Sequence, residues 1–568
     1  MGVLLQAFYQ RGNIGVPSQA DGDHIDAWWD HLAKQANQFQ KAGFTAIWLP
    51  PLTKGGSGKD SVGYDVFDDY DLGSKNQKGT VPTHYGTREQ LGRCVATFRA
   101  NGIDVYSDLV TNQRGGGSGA GGFTFRYADA DGQVGGGRFP KNPENFHPNV
   151  PEDPNVPGPD FSFGSDLAPI NGKPKGYVFH GLIDSADWMT RSLDVQGYRI
   201  DDAKGQSSDF LLPFLNSKSM AGKFAVAEYF DGNIGKIQDW IFNRMRGRPS
   251  AFDFPTRFTL AGMCNSRPFN MAVLDHVGLA GSDPLQAVTF VENHDTDRSE
   301  PIFQNKIMAY AYILTSEGYP CVFYKDYSTD KFCFGLKPEI DNLIFIHEQI
   351  ANGDTLQRFK DFDVFAYERL AGAHLLVGLN NDPNVARTIT VFTGFGANVG
   401  LHDYTGHSGD VRTDGGGQVT ITIPRNVDGL GYVCYSRLGI GSAFHVQTHA
   451  VKQSFEGAQD LDIKPAATDQ PVEIGRIFCE TGKQIRGALK FDTKDWTAST
   501  TLTLELLDPP GNSLGAKIFH QGDQGEFLAV VAVATGFHTF RIQATNTPAT
   551  NLKPSYTLET IYQAPKSF

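Results

Sequence analysis

The sequence is poor in several features that would point straight to a function class. Its 568 residues hold six cysteines (Cys94, Cys264, Cys321, Cys333, Cys434 and Cys479). That is too few for a disulfide framework, and no CxxC pair offers zinc-site spacing. They are expected as buried thiols. No run of about 18 apolar residues occurs, so no membrane-crossing helix is expected. No GxGxxG follows an early apolar run, which removes the usual dinucleotide signature. Positive charge is in deficit: Lys+Arg 50 against Asp+Glu 63 gives a net charge of −13. Neither nucleic acid nor an anionic membrane is therefore expected as a partner. The opening residues, MGVLLQAFYQ, show no basic segment and no cleavage site and read directly as a strand. The expected location is extracellular, with a secretory leader already removed; a cytoplasmic protein is the alternative.

Glycine is the one excess, 64 residues where average usage would give about 40. It has no collagen period and reads as long loops. With 40% hydrophobic and 20% charged residues the chain can bury sizeable cores. Up to about residue 350, short apolar runs alternate with segments of helical period. The runs are VLLQAF (3–8), FTAIWLP (44–50), IDVYSDLV (103–110), GYRID (197–201), KFAVAEYF (223–230), SAFDF (250–254), AVTFVEN (287–293) and YPCVFY (319–324). Helical spacing is clearest over 26–42 and 88–101. Strands alternating with helices imply an α/β fold with a parallel sheet, read here as a (β/α)8 TIM barrel, with an open doubly wound sheet as the alternative.

The stretch 112–196 breaks this alternation with RGGGSGAGG (114–122), VGGG (134–137) and PNVPEDPNVPGP (148–159). It reads as a loop-rich subdomain inserted after the third strand. Beyond about residue 360 the helical period gives way to alternation, as in FDVFAYERL (362–370) and QVTITIPRN (418–426), so two antiparallel β-sandwich domains are expected. The division is a barrel over 1–111 and 197–360, the insertion over 112–196, a β domain over 361–437, a linker SRLGIGSA (436–443) and a terminal β-sandwich over 444–568.

In such a barrel the site lies where strands end. Asp108 and Asn112 end the third run, Arg199 and Asp201 the fourth, Glu228 the fifth, and His294 and Asp295 the seventh. Three acids from three strands at one mouth suit two-carboxylate glycoside hydrolysis. Arg199, two residues before Asp201 and so on the same strand face, is expected to lower the Asp201 pKa. Asp202, a rival by type, points the other way. Trp496 reads either as an exposed sugar-stacking residue or as the core tryptophan of the terminal sandwich.

DLVTNQ (108–113), GYRIDDAKG (197–205), AEYF (227–230) and FVENHD (290–295), in this order and spacing, resemble the four motif regions of the α-amylase family, glycoside hydrolase family 13. The segment 62–87 is similar to the region after the second strand of bacterial liquefying-type α-amylases, and GYPCVFYKDY (318–327) to their eighth strand. The resemblance covers roughly residues 1–435. It implies Asp201 as nucleophile, Glu228 as general acid/base and Asp295 as third carboxylate, with Tyr64, Gln113, Arg199, Lys204 and His294 as substrate contacts. It also implies retaining endo-hydrolysis of α-1,4 bonds in starch or related glucans by a monomer. Exo-acting maltooligosaccharide release, transglycosylation and an inactive glucan-binding protein are the alternatives. The family's structural calcium would be held here by Asn112, Asp166 and the Gly205 carbonyl. Three positions depart from the family pattern: Gln113 and Gly205 stand where histidines are usual, and Pro169 where an aspartate ligand is.

Overall fold

In the computed structural model the eight apolar runs become eight strands: β1 Leu4–Gln6, β2 Ala46–Leu49, β3 Asp104–Leu109, β4 Gly197–Ile200, β5 Phe224–Ala227, β6 Ser250–Phe252, β7 Ala287–Phe290 and β8 Tyr319–Phe323. The structure describes residues 2–11, 15–17, 27–129, 132–158, 164–441, 444, 447–457, 471–491, 496–523, 525, 527–545 and 556–568. The strands close into a barrel in sequence order, each parallel to its neighbours, with β8 beside β1. The open-sheet alternative is thereby set aside. Covered on both faces, these strands are apolar almost throughout, as parallel strands are. Apart from Asp104 and Ser250 at strand starts and the small hydroxyls of Ser107 and Thr289, the polar exceptions are Gln6, Asp108 and Arg199, which are buried and therefore informative.

Of the surrounding helices, α1 (Trp28–Ala42) buries Trp28, Trp29, Leu32 and Phe39 and stops at Gly43, whose φ of 102° suits glycine. Asp26, expected to open it, lies outside the described residues. The next helix, α2 (Arg88–Ala100), starts with a capping box between Thr87 and Gln90. The segment expected as an insertion is not loop throughout. Its last part, Tyr177–Leu193, is a seventeen-residue helix (α3) leading into β4. Its apolar face, with Leu182, Ala186 and Met189, packs into the barrel core, a pattern hidden in sequence by the glycine- and proline-rich stretch before it.

The loop part of the insertion is tied to the barrel by buried ions. Asp69, in the loop after β2, pairs with Arg114 and with Lys141 Nζ (2.8 Å). Close backbone approach fixes the glycines there: a Cβ on Gly56 would lie 2.6 Å from the Gly116 nitrogen.

After the barrel, six strands form one antiparallel sheet and Arg387–Phe392 and Gln418–Ile423 form a second. The first strand, Asn352–Lys360, begins inside the range expected for the barrel. It is an edge strand, largely exposed and polar, so alternation did not mark it. The terminal unit is a sandwich of two four-stranded antiparallel sheets. Its core takes in Ala96 and Ala100 of α2, and Arg93 of the same helix lies 4.4 Å from the Phe568 ring. The terminal unit is thus docked on the barrel. The end of the expected linker, residues 442–443, lies outside the described residues.

All six cysteines are free, and only Cys333 is not fully buried. Among the described residues no helix is long and apolar enough to cross a membrane. Trp496 is 6% exposed and stacked on Phe491 at 5.0 Å, so it is a core residue and not a sugar platform. Trp496→Ala should cost about 3–5 kcal/mol of the terminal unit's stability, read as an earlier urea transition, with retention on granular starch unchanged. Unchanged stability with lost retention would reverse that assignment.

Candidate active site

The register of three strands builds the site. Asp108 of β3 is the direct neighbour of Arg199 of β4, so the two side chains meet inside the barrel mouth. Beyond the strand ends the ladder continues: Asp201 N–H donates to the Leu109 carbonyl (3.0 Å) and Glu228 N–H to the Ile200 carbonyl (2.9 Å). Asp201 and Glu228 are therefore held side by side by backbone. The Arg199 guanidinium, 1% exposed, joins all three acids. Nη1 donates to Asp108 Oδ1 (2.8 Å) and Asp201 Oδ1 (2.6 Å), and Nη2 lies 2.7 Å from Glu228 Oε2.

Asp108 also accepts from Trp48 Nε1 (3.1 Å) and the Tyr64 hydroxyl (2.9 Å), which locks the orientation of Arg199. Gln113 donates its amide to Asp201 Oδ2 (3.3 Å) and to the Tyr64 carbonyl (3.0 Å). It thus braces the carboxylate itself. Asp202 adopts a left-handed backbone (φ 37°) and accepts the Gly205 N–H, as the cap of a short turn. Its own N–H donates to Glu228 Oε2 (3.0 Å). The two adjacent aspartates are therefore separated by conformation as alternation implied, one into the mouth and one into the turn.

From β7 comes His294, fully buried, its ring parallel to that of Tyr64 at 5.1 Å. The Gln6 amide nitrogen lies 3.1 Å from Nδ1, which leaves the ring proton on Nε2, 3.2 Å from Asp295 Oδ2. Asp295 is also 3.3 Å from Arg298, on a short helix that Asn293 caps with its side-chain oxygen. Lys204 sits at the rim, paired with Asp231 (2.8 Å) and donating to the Phe230 carbonyl (3.0 Å). Phe230 is 48% exposed.

Burial sets the electrostatics. It pushes the Glu228 carboxyl up to about 8 against the opposing Arg199 charge, and Asp108 to about 7 in the same way. The Asp201 carboxyl also moves up, because burial outweighs Arg199; a lowering by Arg199 was expected. His294 is pushed down to about 4, again by burial, and is neutral at ordinary pH. One acid that keeps its proton, beside a second that is bonded to a guanidinium and an amide, is the arrangement that acid–nucleophile chemistry requires.

A cavity of about 270 Å³ between barrel and insertion is lined by Asn112, Asp166, Pro169 and Gly205, together with His147, Glu152 and Asp153. Ligand atoms of His147, Glu152 and Asp166 lie within 4.8 Å of one another. Two carboxylates close together in a cavity that an asparagine also lines offer the oxygen donors that calcium takes, so these residues fit such an ion. The sequence reading had missed His147 and Glu152. It had also missed Gln6, whose signal was available as a lone polar residue in a buried apolar run, and Phe230.

Comparison with known proteins agrees with this geometry. Residues 375–436 match the model of the alpha-amylase C-terminal family. The chain is 29% identical over 459 residues to an alpha-amylase of Geobacillus stearothermophilus, covering 71% of this chain and 81% of the relative. It is 28% identical to a glucan 1,4-alpha-maltohexaosidase of Bacillus sp. (strain 707), covering 72% and 87%. It is 27% identical to the cytoplasmic alpha-amylase of Escherichia coli (strain K12), covering 69% and 92%. The fold matches the crystal structure of the Geobacillus thermoleovorans alpha-amylase complexed with acarbose, with a TM-score of 0.54 at 16% identity over 77% of this chain and 98% of that one. With the barrel, the order of its motifs and these relatives in agreement, the chain is similar to the α-amylases of glycoside hydrolase family 13 over the barrel and the β domain that follows it.

Proposed function

We propose that the chain is an α-amylase that cleaves internal α-1,4 bonds of starch and related glucans with retention. The observation that carries this reading is the buried Arg199 guanidinium gripping Asp201 and Glu228 at the ends of adjacent strands. Glu228, kept protonated by burial, donates its proton to the glycosidic oxygen as that bond breaks. Asp201 attacks the anomeric carbon and forms the covalent glucosyl-enzyme; the Glu228 carboxylate then takes a proton from the water that releases the sugar. Asp295 and neutral His294 bind hydroxyls of the reacting sugar, Tyr64 offers its ring to the C–H face, and Lys204 and Phe230 lie on the leaving-group side. Gln113 orients Asp201 and cannot titrate. The substrate is a polymer too large to cross a membrane, which supports action outside the cell.

Calcium belongs to the same proposal. Asn112, Asp166, Glu152 and the Gly205 carbonyl would hold it between barrel and insertion, where it would fix the insertion over the cleft. It takes no part in the chemical step.

Glu228→Gln should lower kcat on soluble starch by about 10²–10⁴-fold. Asp201→Asn should abolish turnover while glucan binding persists, and Asp202→Asn should retain activity; the reverse order of the two aspartate variants would move the nucleophile. A blocked long maltooligosaccharide should give mid-size fragments first, and a single short product would replace endo- by exo-action. Because the Glu228 pKa is raised, its acid form persists below about 8, and kcat/KM should fall as pH rises through that value. A profile flat to pH 10 would remove Glu228 as the acid.

Chelation should lower Tm, and calcium at a hundred times its Kd should restore about 2.7 kcal/mol. In Asp166→Asn/Glu152→Gln neither addition should move Tm. A wild type indifferent to both would end the calcium proposal.

A further inference from the structure

A second cleft, of about 310 Å³, opens where the terminal sandwich meets the barrel. The barrel contributes Tyr70 from the loop after β2, Arg88 at the start of α2 and Trp188 of α3; the sandwich contributes Phe455 and Tyr556. Tyr70 and Trp188 pack at 5.1 Å, and the Arg138 guanidinium of the insertion lies over the Tyr70 ring at 3.9 Å. Arg88 lies 5.1 Å from the Phe455 ring.

The polar ends of this lining are unused. Tyr70, Trp188 and Tyr556 are only 5%, 8% and 4% exposed, yet among the described residues neither hydroxyl, nor the Trp188 indole N–H, nor the Arg88 guanidinium has a hydrogen-bond or ion-pair partner. None of these atoms is sealed from solvent. Three donors on buried rings and the Arg88 guanidinium, none with a hydrogen-bond or ion-pair partner among the described residues, surround one space and make a built site. Three acids, Glu89, Glu456 and Glu473, stand against Lys75, Arg88, Arg138 and Arg476 around it, and Lys75 is already paired with Asp68 at 3.2 Å, so the cleft carries no net charge that would select a charged ligand. Apolar ring surface beside hydrogen-bond donors suits a neutral polyhydroxylated chain. Glycines leave the room: a Cβ on Gly475 would reach the Phe455 ring at 2.7 Å, whereas one on Gly92 would meet only Gln453 Nε2 at 3.8 Å.

We infer that this cleft between barrel and terminal sandwich is a second, non-catalytic binding site for α-glucan chains, resting on the reading of the chain as an α-amylase. The loop that carries Tyr64 into the active site carries Tyr70 into this cleft six residues later. Occupancy would hold one stretch of a long substrate while another enters the mouth, raising its effective concentration there. The terminal domain then acts through a shared wall.

Calorimetric titration of the Glu228→Gln protein with maltoheptaose should show two sites. Adding Arg88→Ala should raise the Kd of one at least tenfold and leave the other. Gly92→Phe, which fills the cleft without removing a contact, should do the same and guards against loss of docking in the first variant. With the wild-type Glu228, both variants should keep turnover of a short blocked maltooligosaccharide within twofold but lose about tenfold on granular starch. A single maltoheptaose site, or a second site unmoved by either variant, overturns the inference and leaves the catalytic reading intact; so does inorganic phosphate binding that Arg88→Ala abolishes. Wild type releasing no reducing ends from soluble starch would overturn the catalytic reading instead, while loss of the second site on Gly92→Phe would still support the cleft.

Discussion

A buried guanidinium that faces three carboxyls constrains everything around the barrel mouth. Removing the Arg199 charge from water costs several kcal/mol, and Asp108, Asp201 and Glu228 offset that cost by hydrogen bonding to it. Three ionised carboxylates around one cation would leave the pocket doubly negative, which a buried site does not sustain. Protons are therefore retained, and burial retains them most firmly at Glu228 and Asp108. The protonated carboxyl that the proposed general acid needs is a consequence of this imbalance. Asp201 is left as the group with most help, from Arg199 on one oxygen and Gln113 on the other.

The loops that form the cleft walls rely on the same device, a buried cation shared among oxygens. Lys54 Nζ is wholly buried and donates to the Lys75, Thr80 and Val81 carbonyls at 3.2, 2.9 and 2.7 Å, beside Asp71. It ties the long loop that presents Tyr64. Lys141 Nζ donates to Asp69 and to the Tyr127 hydroxyl (2.9 Å) and joins that loop to the insertion. Glycine-rich segments, which lose the most freedom on folding, are thereby held in one arrangement next to the site.

The terminal sandwich shows how a domain without a motif of its own acquires a surface. Its one tryptophan is interior, and its docking is set by α2, whose small residues Ala96 and Ala100 admit the sandwich core. Arg93 is both ion-paired to Asp30 at 2.6 Å and set against three phenylalanine rings. That docking leaves a walled space neither partner contains alone.

The barrel was legible because eight apolar runs, covered on both faces, cannot be mistaken for alternating strands, and because each polar residue at their ends stood out against them. The order of Asp108, Arg199, Asp201, Glu228 and Asp295 along the chain already implied one mouth. Helix α3 was obscured by the loops before it, and the edge strand Asn352–Lys360 by its exposure. What sequence could not supply were meetings between distant segments: Gln6 with His294, Lys54 with three carbonyls, His147 and Glu152 with Asp166, Arg88 with the terminal sandwich. Local pattern records which face of an element is covered. Which charges share a proton, and which donors are left without partners, depends on through-space neighbours in a low-dielectric interior, and those are decided only when the chain has closed.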